Sequence, residues 1–326
     1  MRKVLISAMT LSGVDGEYAQ VLRAAGFELV YTARPIQLIE SEMHEALEGI
    51  YATLAGSEPY TRKILNGAPG LRVIARMGVG YDAVDLAAST DHGVAVTFTP
   101  GTNHDAVAEL AFALILGLTK DLVSQHLGVR ALKWPRRTNL PLRGRTLAIA
   151  GLGRIGKAVA LLGEAFKMKL IAYEPFPDQE FVQKHKITLV PFEKLLAEAD
   201  FLSLHSPFTP ESKHMINKNT LALMKPTAFL INTARGGLVC ETDLIDALQN
   251  KKLAGAGLDV FEKEPPLASP LFHMDNVLVT PHAAGVDFQS RDDMALSAAT
   301  SIIKLSRGEW PAELVVNKDV QAKFKP

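Results

Sequence analysis

Three polar residues in the second half of the chain each stand just beyond an apolar run that reads as a strand. Arg235 ends Leu230-Ile231-Asn232-Thr233-Ala234 and precedes Gly236-Gly237. Glu264 comes shortly after Leu258-Asp259-Val260-Phe261, and His282 follows Val277-Leu278-Val279-Thr280-Pro281. In an open parallel sheet the ligand crevice lies beyond the carboxyl ends of the strands, so the three could converge on it. The chemistry they fit is hydride exchange at the carbon of a small 2-keto or 2-hydroxy acid. A planar guanidinium would hold the carboxylate and polarise the keto group. A histidine changes charge near neutral pH and would give a proton to the nascent alkoxide. A carboxylate beside it would stabilise the imidazolium. Singly, these residues also fit a surface arginine, a solvated glutamate and a core histidine. Together, downstream of a nucleotide motif, they read as a site.

That motif is Gly151-Leu152-Gly153-Arg154-Ile155-Gly156. Glycine-rich hexads are common, but here a buried strand, Leu147-Ala148-Ile149-Ala150, runs in and a helical pattern runs out. Gly151 would permit the tight turn, Gly153 the approach of backbone to pyrophosphate, and Gly156 close helix–strand packing. The helix N-terminus would then meet the phosphates. The next strand ends at Glu174, 18 positions after Gly156, where a carboxylate would accept hydrogen bonds from a ribose diol and repel a 2′-phosphate. NAD is therefore expected over NADP.

The elements that must position these residues alternate between strand and helix, as a parallel sheet with crossover helices requires. Strands are expected at Val4–Ser7, Phe27–Tyr31, Ile50–Leu54, Val73–Arg76, Val94–Thr97, Thr146–Ala150, Leu170–Tyr173, Phe201–Leu204, Ala228–Asn232, Gly257–Val260 and Val277–Thr280. Helices are expected at Gly16–Ala25, Ile36–Leu47, Thr61–Asn66, Val84–Asp91, Ile155–Phe166, Phe192–Ala199, Glu241–Gln249 and Asp287–Leu305. One long helix is expected from about Asn103 to Val129, followed by a Pro- and Arg-rich arm from Trp134 to Arg145. Ala312–Val316 is expected to rejoin the first domain. The fold class is α/β, with two Rossmann-like doubly wound domains. The substrate domain comprises residues 1–100 and 286–326, and an NAD-binding domain, residues 101–285, is inserted into it.

Composition narrows the partners. The 326 residues carry 35 Lys plus Arg against 35 Asp plus Glu, a balance that points to neither nucleic acid nor an anionic membrane. The single cysteine, Cys240, excludes an internal disulfide and a multi-thiolate metal site and suits a reducing cytoplasm. Residues Met1 to Ser7 read as a first strand rather than a signal peptide. No apolar run reaches the ~18 residues of a membrane span.

Several blocks in order make the chain resemble the D-isomer-specific 2-hydroxyacid dehydrogenases, the phosphoglycerate, glycerate and formate dehydrogenases among them. The blocks are Met77-Gly78-Val79-Gly80-Tyr81-Asp82, the hexad at Gly151–Gly156, His205-Ser206-Pro207, Asn232 through Gly237, Asp259-Val260-Phe261 through Glu264-Pro265, and Pro281-His282. The resemblance implies that Arg235 binds substrate, that His282 is the acid/base and that Glu264 pairs with it. It implies that Asp259 holds the nicotinamide carboxamide. Arg154 and Ile155 would lie on the pyrophosphate, with Ser206, Pro207, Thr233, Ala234 and Gly285 also at the cofactor. Backbone amides at Val79 and Gly80 would receive the substrate carboxylate. A homodimer, built on the long helix and the arm, is implied as well.

The pattern also departs from its relatives. Glu174 stands where they more often have Asp. The loop Leu54-Ala55-Gly56-Ser57-Glu58-Pro59 has no basic residue where phosphoglycerate dehydrogenases carry Arg. Arg76 and Arg136 nevertheless occupy positions where those enzymes often have arginines, so the substrate is expected either with or without a phosphate or phosphonate group. The chain stops at Pro326, and the regulatory domains of the longer phosphoglycerate enzymes are not expected. Two alternatives stay open: an NAD-sensing binding protein like the C-terminal-binding corepressors, and a formate- or phosphite-oxidising relative.

Overall fold

The computed structural model describes residues 1–32, 37–265 and 268–326. Contacts divide them into two units, Met1–Asn103 with Gly285–Pro326, and His104–Ala284. Residues 101–103 and Gly285, read from the sequence with the cofactor domain, therefore fall in unit 1.

Unit 1 runs β1 (Arg2–Ile6), α1 (Glu17–Ala24), β2 (Phe27–Tyr31), α2 (Glu40–Ala46), β3 (Ile50–Ala55), α3 (Arg62–Asn66), β4 (Val73–Arg76), α4 (Leu86–Asp91) and β5 (Ala95–Thr97). Its sheet has the order β2-β1-β3-β4-β5, and every pairing between strands is parallel. Alternate residues feed opposite faces. Val4 and Ile6 enter one apolar core with Val73 and Ala75, while Leu5 and Ile74 enter the other. This two-sided burial is why these strands read as continuous apolar runs. The later part of the chain returns to unit 1 as α12 (Phe288–Ser306), capped where Asp287 Oδ1 accepts the Ser290 N–H at 2.6 Å. Ala295, Ala298, Ala299, Ile302 and Leu305 of this helix complete the first core. The expected return at Ala312–Val316 is present as an antiparallel bridge of Val315 to Thr97. Asn317 extends it, accepting from Val96 N and donating to Val94 O.

Unit 2 runs α5 (His104–Thr119), α6 (Leu122–Arg130), β6 (Thr146–Ala150), α7 (Arg154–Ala165), β7 (Lys169–Tyr173), α8 (Gln179–Lys184), β8 (Thr188–Leu189), α9 (Phe192–Glu198), β9 (Phe201–Leu204), α10 (Lys218–Leu221), β10 (Phe229–Asn232), α11 (Glu241–Gln249), β11 (Gly255–Leu258) and β12 (Val277–Val279). The sheet order is β12-β11-β10-β9-β6-β7-β8, again parallel throughout. The order reverses between β6 and β9, the switch point at which doubly wound sheets bind nucleotides.

One expected element is corrected. The long helix from Asn103 to Val129 is two helices, broken at Asp121, whose φ is 51°. The break is held by contacts distant in sequence. Lys120 Nζ donates to Leu140 O at 2.7 Å, and Arg137 pairs with Asp121 at 2.7 Å. Among the described residues α2 begins at Glu40, and Ile36, the expected start of that helix, lies outside them. The short elements α8, β8 and α10 had no clear periodic signal.

Candidate active site

The fingerprint loop joins β6 to α7 in a geometry that only glycine tolerates. Gly151 has φ 94°, and a Cβ there would fall 2.7 Å from His205 C and Ser206 N. A Cβ on Gly156 would come within 2.0 Å of the Gly151 carbonyl oxygen. The loop is thus pressed against the His205-Ser206-Pro207 turn after β9. Arg154 opens α7 and is exposed, with Ile155 half-buried beside it. Glu174, just beyond β7, reaches back to this loop. Its Oε2 accepts Leu152 N at 2.8 Å, and its Oε1 accepts Phe176 N at 3.0 Å.

The expected trio lies on two neighbouring strand ends and the turn after β12. His282 Nδ1 is 2.6 Å from Glu264 Oε2, and Glu264 Oε1 accepts Phe261 N at 2.9 Å. Burial works to raise the pKa of Glu264. The His282 hydrogen bond and charge, the Phe261 N–H and the Arg235 charge outweigh it, and the carboxyl ends below its ordinary value. An ionised carboxylate can only accept, so Nδ1 carries the hydrogen and Nε2 is the nitrogen left for proton exchange. Arg235, half-buried, donates from Nη1 to Ala234 O at 2.6 Å. Its loop is fixed by Asn232, whose Oδ1 accepts Ala234 N and whose Nδ2 donates to Arg235 O. Gly236 brings this loop onto the one bearing Glu264, since a Cβ there would lie 1.9 Å from Phe261 O.

Asp259, fully buried, holds the turn that carries His282. Its Oδ1 accepts Thr280 Oγ1 (2.6 Å) and Ala283 N (2.8 Å), and its Oδ2 accepts Ala284 N (2.9 Å). His282 itself has φ 53°, and its N–H donates to Asp259 O at 2.8 Å. Sequence reasoning did not find this clamp. Its one signal was an acidic residue directly after a buried strand.

In unit 1, Arg76 ends β4 and is buried. Its Nε donates to Gly80 O at 3.1 Å, and its Nη1 to Ala55 O at 3.2 Å. Gly78 N donates to Thr99 Oγ1 at 2.9 Å, and Thr99 N donates to Gly78 O at 3.0 Å. Val79 and Gly80 thus sit on a loop tied at both ends. Gly285 lies against Asn103, whose Nδ2 would be 2.7 Å from a Cβ. Arg136, in unit 2, is exposed on the arm.

The family profile "D-isomer specific 2-hydroxyacid dehydrogenase, NAD binding domain" matches residues 112–284. A glyoxylate reductase of Thermococcus litoralis is 42% identical over 274 residues, 81% of this chain and 82% of that one. The chain belongs to the D-isomer-specific 2-hydroxyacid dehydrogenases. A D-3-phosphoglycerate dehydrogenase of Synechocystis is 38% identical over 84% of this chain, which spans only 50% of that protein. The fold matches the D-lactate dehydrogenase of Aquifex aeolicus, solved with NAD and lactic acid. Its TM-score is 0.85 at 29% identity, covering 97% of this chain and 99% of that one. As in this family, the enzyme is an NAD-dependent dehydrogenase.

The residues at the switch point fit NAD. A Cβ on Gly153 would meet no protein atom within 4 Å. Two buried polar atoms at adjacent strand ends, Thr233 Oγ1 and His205 Nδ1, have no hydrogen-bond partner among the described residues. His205 is a site residue to which the sequence assigned no role. Burial alone lowers its pKa to about 3, so it is a neutral imidazole, with Nε2 2.7 Å from Ser203 Oγ. A cleft of about 640 Å³ lies elsewhere in the dehydrogenase, lined by Thr146, Lys169 and Thr188 at the amino ends of β6, β7 and β8. It shares no residue with the site. No helix among the described residues is long and apolar enough to cross a membrane, and none of their His, Cys, Asp and Glu side chains form a metal-binding group.

Proposed function

We propose that the chain reduces small 2-keto acids to D-2-hydroxy acids, or runs the reverse, with Arg235, Glu264 and His282 as its catalytic set. The observation that carries this reading is the His282–Glu264 pair at 2.6 Å, next to the Arg235 loop at the carboxyl edge of a nucleotide-binding sheet. Bound NADH supplies the hydride. Arg235 holds the carboxylate and polarises the keto oxygen. His282 Nε2 delivers the proton to that oxygen while Glu264 stabilises the imidazolium. Gly151, Gly153, Arg154, Ile155 and Gly156 would receive the pyrophosphate, and Glu174 the ribose. Ser206, Pro207, Thr233 and Ala234 would line the nicotinamide side. Asp259 acts chiefly by orienting the His282 turn, with Oδ2 retaining a lone pair for the carboxamide. Val79 and Gly80 are proposed as amide donors to a substrate carboxylate.

The test is oxidation of NADH by the purified protein against glyoxylate, hydroxypyruvate, pyruvate and their phosphate- or phosphonate-bearing analogues. Turnover of at least one supports the reading. Silence across the panel with NADH binding retained would instead favour a cofactor-sensing role, and NAD reduction by formate or phosphite a formate- or phosphite-oxidising relative.

Glu174 gives a second test. Each of its oxygens accepts one backbone N–H and keeps a lone pair for a ribose hydroxyl. Glu174→Ala is expected to narrow the preference for NADH over NADPH by about tenfold in kcat/KM. An unchanged preference would remove Glu174 from the ribose.

A homodimer is the assembly we favour, in a cytoplasmic setting. Helix α6 buries none of its residues, and it exposes Leu122, Val123, Leu127 and Val129. Leu132, just before the arm, and Trp134, at its start, are 97% and 78% exposed, and so many exposed large apolar side chains in one stretch of chain favour an interface. Sedimentation should show a dimer that Leu127→Asp with Trp134→Asp converts to monomer.

A further inference from the structure

The loop that bears Glu264 carries a second imidazole–carboxylate pair. Glu262 stands two residues before Glu264, and its Oε1 is hydrogen-bonded to Nε2 of His214. Its other oxygen, Oε2, accepts Glu241 N at 3.3 Å, and Glu262 N donates in return to Glu241 Oε1 at 2.6 Å. Glu262 is thus tied to two other segments of unit 2. One is the loop between β9 and α10, which holds His214 with a φ of 52°. The other runs from the Arg235 loop into α11, which Glu241 opens. These two segments are themselves joined. His214 N donates to Gly237 O at 2.9 Å, Ile216 N to Leu238 O at 3.0 Å, and Cys240 N to Ile216 O at 2.8 Å.

This knot works against a repulsion. Burial, and behind it the charges of Glu262 and Glu264, raise the Glu241 pKa against the opposing Glu262 N–H, so three carboxylates crowd one corner of the fold. Each is met by its own donors. Glu241 has Glu262 N, Glu262 has Glu241 N and His214, and Glu264 has Phe261 N and His282. Glu264 takes its backbone donor from the residue next to Glu262, so a shift of the chain at Glu262 would carry that donor with it. Without the His214 bond or the Glu262 carboxylate, like charge would press this loop away from Glu241. We propose that the His214–Glu262 pair is a positioning pair, which fixes the loop so that Glu264 stays against His282. It acts through Glu264 and rests on the reading of Arg235, Glu264 and His282 as the catalytic set.

The experiment is a double-mutant cycle on the best substrate among glyoxylate, hydroxypyruvate and pyruvate, with NADH binding followed by fluorescence titration. Glu262→Ala is expected to lower kcat by about tenfold, a scale that slight misplacement of a catalytic group accounts for, with NADH binding unchanged. Glu262→Gln keeps an acceptor for Glu241 N and a polar partner for His214, and should stay within about threefold of the parent. In a Glu264→Ala background, itself slower by about tenfold or more, Glu262→Ala should cost under about twofold further, because the group it positions is gone. If Glu262→Ala does not fold, His214→Ala takes its place in the cycle with the same expectations. Parent kcat in the folded variant, a loss confined to NADH binding, or losses that multiply in full across the cycle would overturn the proposal. Glu264→Ala at the parent rate, or a parent chain that reduces none of the three acids, would overturn the reading of the site beneath it.

Discussion

Replacing His282 with alanine is expected to lower kcat for the best 2-keto acid by about 10²-fold or more, while NADH binding measured by fluorescence titration stays near the parent value. The size of the effect follows from the geometry. His282 Nδ1 is committed to Glu264 Oε2 at 2.6 Å, and Glu264 is held ionised by His282, Phe261 N and Arg235 against the opposing effect of burial. The imidazole is thereby fixed in one tautomer, with Nε2 turned to proton transfer. Because the Glu264 pKa is lowered, its contribution to the pair is present above the ordinary glutamate range. It is lost only as pH falls through the lowered value. Full activity in the alanine variant would place the proton donor elsewhere.

Arg235→Gln should reduce kcat/KM for the keto acid by about 10²-fold or more, with the KM for NADH little altered. Glutamine keeps one amide donor but neither the charge nor the fork. Arg235→Lys should recover only part of the loss, because a point charge cannot hold carboxylate and keto oxygen at once. The arginine is poised for both, since Asn232 pins the backbone on either side of it and Gly236 seats the loop on Phe261. Equal kinetics for lysine and arginine would mean that charge alone is used. A KM change confined to NADH would reassign Arg235 to the cofactor.

Most of what positions this site could be read from short-range signals. The run Leu147–Ala150 into Gly151–Gly156 is legible because strand, turn and helix start all fall within a dozen residues, and each glycine has a local steric reason. The trio was legible because apolar runs buried on both faces end abruptly in polar residues. What escaped depends on partners distant in sequence. The break at Asp121 is stabilised from Leu140 and Arg137, and nothing between Ala106 and Val129 announces it. Asp259 was read as a ligand contact, yet its oxygens are engaged by Thr280, Ala283 and Ala284 more than 20 residues later. His205 was given no role for the same reason, since a histidine after a strand looks solvated until the fold buries it.

The insertion of unit 2 into unit 1 also has a consequence for how the protein is made. The first core needs Ala295, Ala298, Ile302 and Val315, and the edge of β5 needs Asn317, all of them at the far end of the chain. Unit 2, His104–Ala284, is continuous and emerges from the ribosome whole before any of these. Domains tend to fold as units during synthesis. The inserted unit is therefore the first that can complete its core. The earlier-made strands β1 to β5 must wait, with one face covered only in part by α1, for the last forty or so residues.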